Sequence, residues 1–295
     1  AEKGETLEYF HCSGDPDSLD AIALPARGAM LLDGTAPHVL DPVLPGARDT
    51  LVSLGDFLDE KALTADLPQI TQLTREIGAS YRRAYDYLAA AERVARAAGW
   101  GEVDMYAAER LAQSLAERLL VQGEGQGRVR QLFSRAYTWK GEVSYLETLP
   151  RTATVALRLP LGVSGDALLR AVLRQAALRG QDAVALPHPL TPERLCGLYV
   201  PAAGLLLTEE PVAEAAEELG PAAFQIGAPP ADRESGFDRN AYALLTQRAM
   251  EQMQRCKRLH DELEALYTPR MDFSMWEKTE ERLLNELLSL CSGDV

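Results

Sequence analysis

The stretch Val155-Ala-Leu157-Arg-Leu159-Pro160-Leu-Gly162-Val-Ser-Gly165-Asp166-Ala167-Leu168-Leu169-Arg-Ala-Val172-Leu173 decides how this chain is read. Val155, Leu157 and Leu159 alternate with other residues, the period of a strand. Leu168, Leu169, Val172, Leu173 and Ala176 then recur at helical spacing. A turn with two glycines lies between, so the order is strand, glycine-bearing loop, helix. Short apolar runs at Ala183–Leu186 and Gly204–Leu207 follow, and such runs suit buried parallel strands. Strand, helix, strand at this spacing predicts a βαβ pattern and an α/β fold. Upstream, Arg128–Thr138 and Val143–Leu149 flank Trp139-Lys-Gly-Glu142 and predict a hairpin.

Outward from this stretch the chain repeats itself. Shifted by 176 positions, residues 1–33 fall on residues 177–209 without a gap. Eight positions are then identical: Ala1/Ala177, Gly4/Gly180, Pro16/Pro192, Leu19/Leu195, Pro25/Pro201, Ala26/Ala202, Gly28/Gly204 and Leu31/Leu207. Asp17/Glu193 and Asp33/Glu209 keep their charge. Proline and glycine stand out among the matches, and these residues fix backbone shape. A second shift, of 168, sets Asp104-Met105 on Asp272-Phe273 and Glu109 on Glu277. It also sets Leu115, Leu119 and Leu120 on Leu283, Leu287 and Leu288. Self-similarity of this kind predicts two copies of one unit, residues 1–125 and 126–295, joined near the glycine-rich 122–128.

Each copy reads as α/β followed by a helical arm. In the first, Leu7–Phe10 and Ala29–Leu32 are the expected strands, with a loop between them. Ile70, Leu73, Ile77, Tyr81, Ala84 and Leu88 make one helical stripe, and Met105, Ala108, Leu111, Leu115 and Leu119 another. Ala249, Met253, Cys256, Leu259, Leu263 and Leu266 make a third, preceded by a predicted loop over Gly227–Gly236.

A glycine loop between strand and helix is the place of a phosphate-binding P-loop. That chemistry needs glycines for close backbone approach, a Lys for the phosphate oxygens and a Ser/Thr hydroxyl for magnesium. Here Gly162 and Gly165 are the candidate nucleotide-binding positions. Laid on G-x-x-x-x-G-K-[ST], however, Pro160 replaces the first Gly, Asp166 the Lys and Ala167 the Ser/Thr. An aspartate repels phosphate and an alanine has no oxygen for a metal, so the second copy is expected to be degenerate. The offset of 176 would put the first copy's loop ahead of residue 1, leaving that copy without a P-loop in this chain.

The first copy keeps what reads as the rest of such a site. Ala29-Met-Leu-Leu32-Asp33 is an apolar strand ending in an acid, which places a carboxylate on a nucleotide's magnesium. Asp33 is therefore the metal candidate. Asp15, Asp17 and Asp20 lie close together in His11-Cys-Ser-Gly-Asp15-Pro-Asp17-Ser-Leu-Asp20, and could hold a divalent cation or cap a helix. His38 follows Asp33 in Gly34-Thr-Ala-Pro-His38, where it could reach a phosphate or cap a turn. His11 and Cys12 would point to opposite faces of a strand and make no metal pair. His260, Cys256 and Cys291 suggest no chemistry.

The stretches His11–Asp20 and Leu32–His38 resemble an uncharacterised bacterial family of paired P-loop ATPases. So do Pro45-Gly46, Arg82–Leu88, Leu259–Glu264 and Met271–Phe273. The resemblance covers essentially the whole chain. It implies two duplicated P-loop NTPase-like parallel-sheet units with helical arms, described as ATPases or nucleotide-kinase-like proteins. It also implies a nucleotide partner, with ATP and Mg²⁺ as cofactors where a P-loop stands ahead of residue 1, and otherwise none. Asp33, Asp15, Asp17, Asp20 and His38 would be its catalytic residues.

Composition limits the alternatives. The chain has 30 Lys+Arg against 44 Asp+Glu, a net charge of −14, whereas nucleic acids and anionic membranes call for a basic footprint. Leu195–Leu207, the longest uncharged apolar stretch, contains Pro201 and is too short to span a bilayer. The start has no signal-peptide character, and the four widely spaced cysteines form no C-x-x-C pair, so a cytoplasmic protein with reduced thiols is expected. The reading is therefore a nucleotide-binding ATPase fold, not catalytically competent in these 295 residues. A non-catalytic scaffold or regulatory module, with protein partners or self-association, is the alternative.

Overall fold

The computed structural model describes residues 6–35, 39–227 and 232–290. In chain order the strands are β1 (Glu8–His11), β2 (Leu19–Leu24), β3 (Ala29–Leu32), β4 (Glu102–Val103), β5 (Val129–Gln131), β6 (Arg135–Thr138) and β7 (Gly141–Ser144). They continue as β8 (Ala153–Leu157), β9 (Ala183–His188), β10 (Thr191–Val200), β11 (Leu205–Thr208), β12 (Glu217–Leu219) and β13 (Gln225–Ile226). The helices are α1 (Glu60–Ala98), α2 (Met105–Leu119), α3 (Asp166–Leu178), α4 (Asp232–Tyr267) and α5 (Phe273–Ser289). The chain divides into two compact units, residues 1–82 with 252–295, and residues 83–251. Both long helices, α1 and α4, contribute a segment to each.

The unit of residues 83–251 is mixed α/β, built on a six-stranded sheet of order β12-β8-β11-β10-β9-β5. β8 pairs in parallel with β11 and β12, and β9 with β5, while β10 alone runs against its neighbours. α3 and α2 cover one face, where Leu168, Leu169, Val172 and Leu115 meet Val155, Leu157, Leu198, Leu205 and Leu207. Leu146, Leu186, Tyr199 and Leu206 fill the other face. Covered on both sides, the sheet needs continuous apolar strands, which is why β11 reads Leu-Leu-Leu-Thr rather than alternating. The stripe of α2, expected on an arm, is thus part of the layer over this sheet. β8 and β9 flank α3 as the βαβ pattern predicts, yet β11 and β10 lie between them. The expected hairpin is shorter: β6 and β7 close around Trp139 and Lys140, while β5 leaves to join β9.

The other unit contains an antiparallel meander, β1-β2-β3. Its pairing repeats that of β9-β10-β11 at the offset of 176. Glu8 faces Ala23 as Val184 faces Tyr199, Tyr9 faces Ile22 as Ala185 faces Leu198, and His11 faces Leu19 as Pro187 faces Leu195. The β2–β3 pairs, Ala21 with Leu32 through Leu24 with Ala29, match Gly197 with Thr208 through Val200 with Leu205. Both turns are one-turn 3₁₀ segments, Pro25–Arg27 and Pro201–Ala203. Each ends on a left-handed glycine, Gly28 at φ 59° and Gly204 at φ 56°. Proline presets the first residue of such a turn, and only glycine takes the left-handed position without strain. Where a loop is expected between two strands, the structure has a middle strand, β2 or β10. Asp20 in one, and the Thr-Pro-Glu-Arg start of the other with its bulges, obscure the strand period.

The second alignment also recurs in the structure. Asp104 caps α2 by accepting from the Ala107 amide at 2.9 Å, and Asp272 caps α5 by accepting from Ser274 at 3.0 Å. The Asp104 amide donates to the Phe224 carbonyl (2.9 Å), and that of Asp272 to Phe57 (2.8 Å). In the same unit as α5, Leu73 and Ile77 of α1 pack on Leu259 of α4, with Tyr81, Leu263 and Leu266 beside them. The loop expected over Gly227–Gly236 is shorter, since α4 starts at Asp232. A single interior glycine costs a helix only about 1 kcal/mol, so Gly236 does not stop it.

Equal registers with unequal burial give a direct test. Leu207 is fully buried, and Leu207→Ala should cost about 2–5 kcal/mol. Leu31 holds the matching position but is exposed, and Leu31→Ala should change stability by less than about 0.5 kcal/mol. Urea unfolding of the two variants measures the difference.

Candidate functional site

In the unit of residues 83–251 the loop between β8 and α3 is closed by its own side chains. A helix N-terminus offers free N–H groups and positive potential to an anion. At α3 the anion is the carboxylate of Glu209, just past β11: its Oε1 accepts the Gly165 amide at 2.6 Å. Asp166 opens the helix and is held from two sides. Its carboxylate accepts from Arg170 Nε at 2.9 Å and from the Leu195 amide at 2.7 Å. The Asp166 amide donates to Ser164 Oγ at 3.1 Å.

Both candidate glycines have steric reasons to be glycine. Gly162, at φ +80°, lies where a Cβ would run into the Ala95 carbonyl of α1 and the Gly99 amide. A Cβ on Gly165 would meet Leu157 Cδ1 at 2.6 Å. These residues do not fit a Mg²⁺–nucleotide: the Gly165 amide is taken, and an aspartate locked by Arg170 stands where a phosphate-binding loop would need a lysine.

Beside Glu209 lies a buried polar cluster. Arg194 Nη2 is 3.7 Å from Glu209 Oε2. Burial raises the Glu209 carboxyl above the ordinary carboxylate range, with Arg194 opposing. Glu210, only 1% exposed, accepts hydrogen bonds from Ser134 Oγ and, at 2.7 Å, from Ser144 Oγ. Arg135 pairs with Glu142, and its Nε stands 3.9 Å from Glu210 Oε1. Burial, then the charges of Arg194 and Arg135, lower His188 to about 3, which keeps it neutral. Burial pushes Cys196 up to about 12, so it is a thiol and not a nucleophile. The sequence reading missed this cluster. The paired acids Glu209-Glu210 after an apolar run were its one visible signal.

In the other unit, the acids gather around the β1–β2 turn and the end of β3. The Cys12 amide donates to the Ser18 carbonyl at 3.0 Å, and Ser18 donates back to the Asp15 carbonyl at 2.9 Å. Asp15 Oδ2 accepts from Ser18 Oγ at 3.3 Å and pairs with Lys257 Nζ of α4 at 3.3 Å. Lys257 also reaches Asp261 at 2.7 Å. His11 Nδ1 lies 2.9 Å from the Pro16 carbonyl. A Cβ on Gly14 would collide with the hydroxyl of Tyr81, so the turn fits against α1.

Register brings Asp33 to Asp20. The Asp33 amide donates to the Asp20 carbonyl at 2.8 Å, as the Glu209 amide does to Cys196 at 2.8 Å. Asp33 Oδ1 accepts the Thr35 amide at 2.8 Å. Asp17 is exposed on the turn, and His38 lies outside the described residues. Burial raises the Cys12 thiol, and the same cause lowers His260, which stacks edge-on to Tyr81 at 6.2 Å. Tyr81, read from sequence only as a helix residue, and Lys257, to which the sequence reading assigned no role, are the additions the structure makes here. Among the described residues, no group of three or more His, Cys, Asp or Glu side chains is placed to hold a metal ion. No described helix is long and apolar enough to cross a membrane.

In comparisons with known proteins, no family model, no curated protein and no solved structure matches this chain.

The Glu209 carboxyl gives a pH test with a definite sign. Its pKa is raised on folding, so ionising it costs stability, and that cost is absent below the ordinary carboxylate range. As pH rises from about 4 to about 7, the native chain should lose stability relative to Glu209→Gln. Urea midpoints of both proteins across that range measure it. A pH-independent difference would contradict the burial assignment.

Proposed function

We propose that this chain is a nucleotide-fold protein of P-loop NTPase-like design that does not hydrolyse ATP as the 295-residue chain. The unit of residues 83–251 acts as a structural copy. The observation that carries this is the Glu209 carboxylate on the Gly165 amide, with Asp166 and Ala167 at the lysine and hydroxyl positions. A built-in anion at a helix N-terminus competes with phosphate for the same N–H groups, and its charge repels what it does not exclude. The exposed sheet and helix faces of the other unit favour a role in which the chain docks to other polypeptide.

One observation favours a second reading, in which the unit of residues 1–82 and 252–295 is the Mg²⁺–nucleotide half. Asp33 stands at the strand end beside Asp20, with Asp15 in the neighbouring turn, whereas Thr191 and Cys196 replace Asp15 and Asp20 in the other copy. Under this reading Asp33 would hold the magnesium or its water, and a phosphate loop would have to come from outside residues 1–295.

Turnover and calorimetry decide between them. The purified chain with Mg²⁺ and ATP should give no turnover above background, and titration with ATP or ADP should release no binding heat. Magnesium-dependent turnover abolished by Asp33→Ala would overturn the proposal in favour of the second reading.

A further inference from the structure

We infer that the β3 edge and the adjoining face of the β1-β2-β3 meander are a docking site for one strand–turn–helix segment, entering β1 from its amino-terminal side. The inference rests on a comparison of the two meanders and on no nucleotide reading. In the unit of residues 83–251, β8 pairs in parallel with β11, Leu205 on Ala153 through Thr208 on Ala156, and α3 then packs on β9, β10 and α2. The chain passes from α3 directly into β9.

The β1-β2-β3 meander has the same registers, yet among the described residues β3 pairs with β2 alone. Its residues at the α3-facing positions are open. Tyr9 is 50% exposed against 1% for Ala185, Leu19 39% against 2% for Leu195, and Leu31 42% against 0% for Leu207. An open strand edge beside exposed apolar side chains is a template for another strand.

A second element points to the same occupant. α5 repeats the start of α2, with the same aspartate cap and the same amide anchor on a phenylalanine carbonyl. α2 packs on α3 and buries Ala108, Ala112, Leu115 and Ala116, but α5 has no buried residue. Arg27, in the β2–β3 turn, donates to the Leu288 carbonyl at 2.8 Å, so α5 is tied to this meander. Among the described residues, sheet face and helix face thus both lack the partner that α3 supplies in the other unit. The occupant is an apolar strand parallel to β3, a glycine-bearing turn, and a helix with one apolar stripe. A second copy of the chain is a poor candidate, because its own β8 and α3 are already buried.

The chain itself supplies the probe. The offset of 176 makes Leu178 equivalent to Glu2, so a copy of residues 152–178 is joined ahead of Lys3 of the full chain. Three readouts apply: hydrogen exchange of the β3 amides, fluorescence of a dye that binds exposed apolar surface, and mass by light scattering. The unextended chain should be monomeric, bind dye, and exchange β3 amides at least about tenfold faster than those of β11. The extension should slow β3 exchange at least about tenfold and remove most dye binding. The same extension with Ala153→Pro and Val155→Pro in its copied strand should do neither, since these residues face β11, with the Ala153 amide donating to the Gly204 carbonyl, and proline cannot donate to the ladder.

An extension that folds, by circular dichroism, while β3 stays unprotected overturns the inference. So does an unextended chain that already protects β3 as a dimer. Should the extended chain not fold, Leu31→Asp in the unextended chain decides. A stable variant with reduced dye binding supports an open face, and an unfolded one overturns it.

Discussion

Register in both meanders hangs on one backbone constraint, a glycine in the left-handed region three residues after a proline. Gly204 closes the turn between β10 and β11, and Thr152 leaves no room there, since a Cβ would meet its Oγ1 at 2.8 Å. Side chains in a strand alternate with period two, so a slip of one residue would turn Leu205 and Leu207 off the face that α3 covers. The same register carries Glu209 to the strand end opposite the start of α3. The core of the mixed α/β unit and the closure of its loop therefore follow from one turn, and the Gly28 turn repeats that constraint in the other meander.

Around α3 the charges close the loop on itself. A buried carboxylate is costly unless amides and cations offset it. Glu209 has the Gly165 amide and Arg194, while Glu210 has two serine hydroxyls and Arg135 nearby. His188 is held neutral and Cys196 protonated, which removes the usual proton carrier and nucleophile at neutral pH. Groups arranged in this way pin the ends of β10 and β11 against the α3 turn. In the other meander Asp15 and Asp17 lie in the β1–β2 turn, Asp20 lies in β2 and Asp33 follows β3, with Asp15 partnered by Lys257.

Much was legible in the sequence, because some residues act locally. The matches Pro25/Pro201 and Gly28/Gly204 announced two equal turns, since proline and glycine fix dihedral angles whatever surrounds them. Asp104 and Asp272 stood at matching positions in the second alignment, and the structure makes both of them helix caps. The helical stripes of α1, α2 and α4 and the runs of β9 and β11 were visible as periodicity. The middle strands β2 and β10 were not, because Asp20 and the Thr191–Arg194 segment are polar and the pairing is bulged.

Tertiary structure decided the rest, since it depends on which surfaces meet. The stripe of α2 cannot state that its partner is α3, and Leu31 and Leu207 are the same residue type at equivalent positions with opposite burial. Nor could spacing show that Glu209 would turn back onto Gly165, 44 residues earlier, or that Lys257 of α4 would reach Asp15. The sequence by itself determined the turns and the periodicities, which are properties of single residues and their near neighbours. Only the fold decided which faces are covered and which carboxylate fills the helix start, because burial and charge pairing arise from residues that chain distance does not relate.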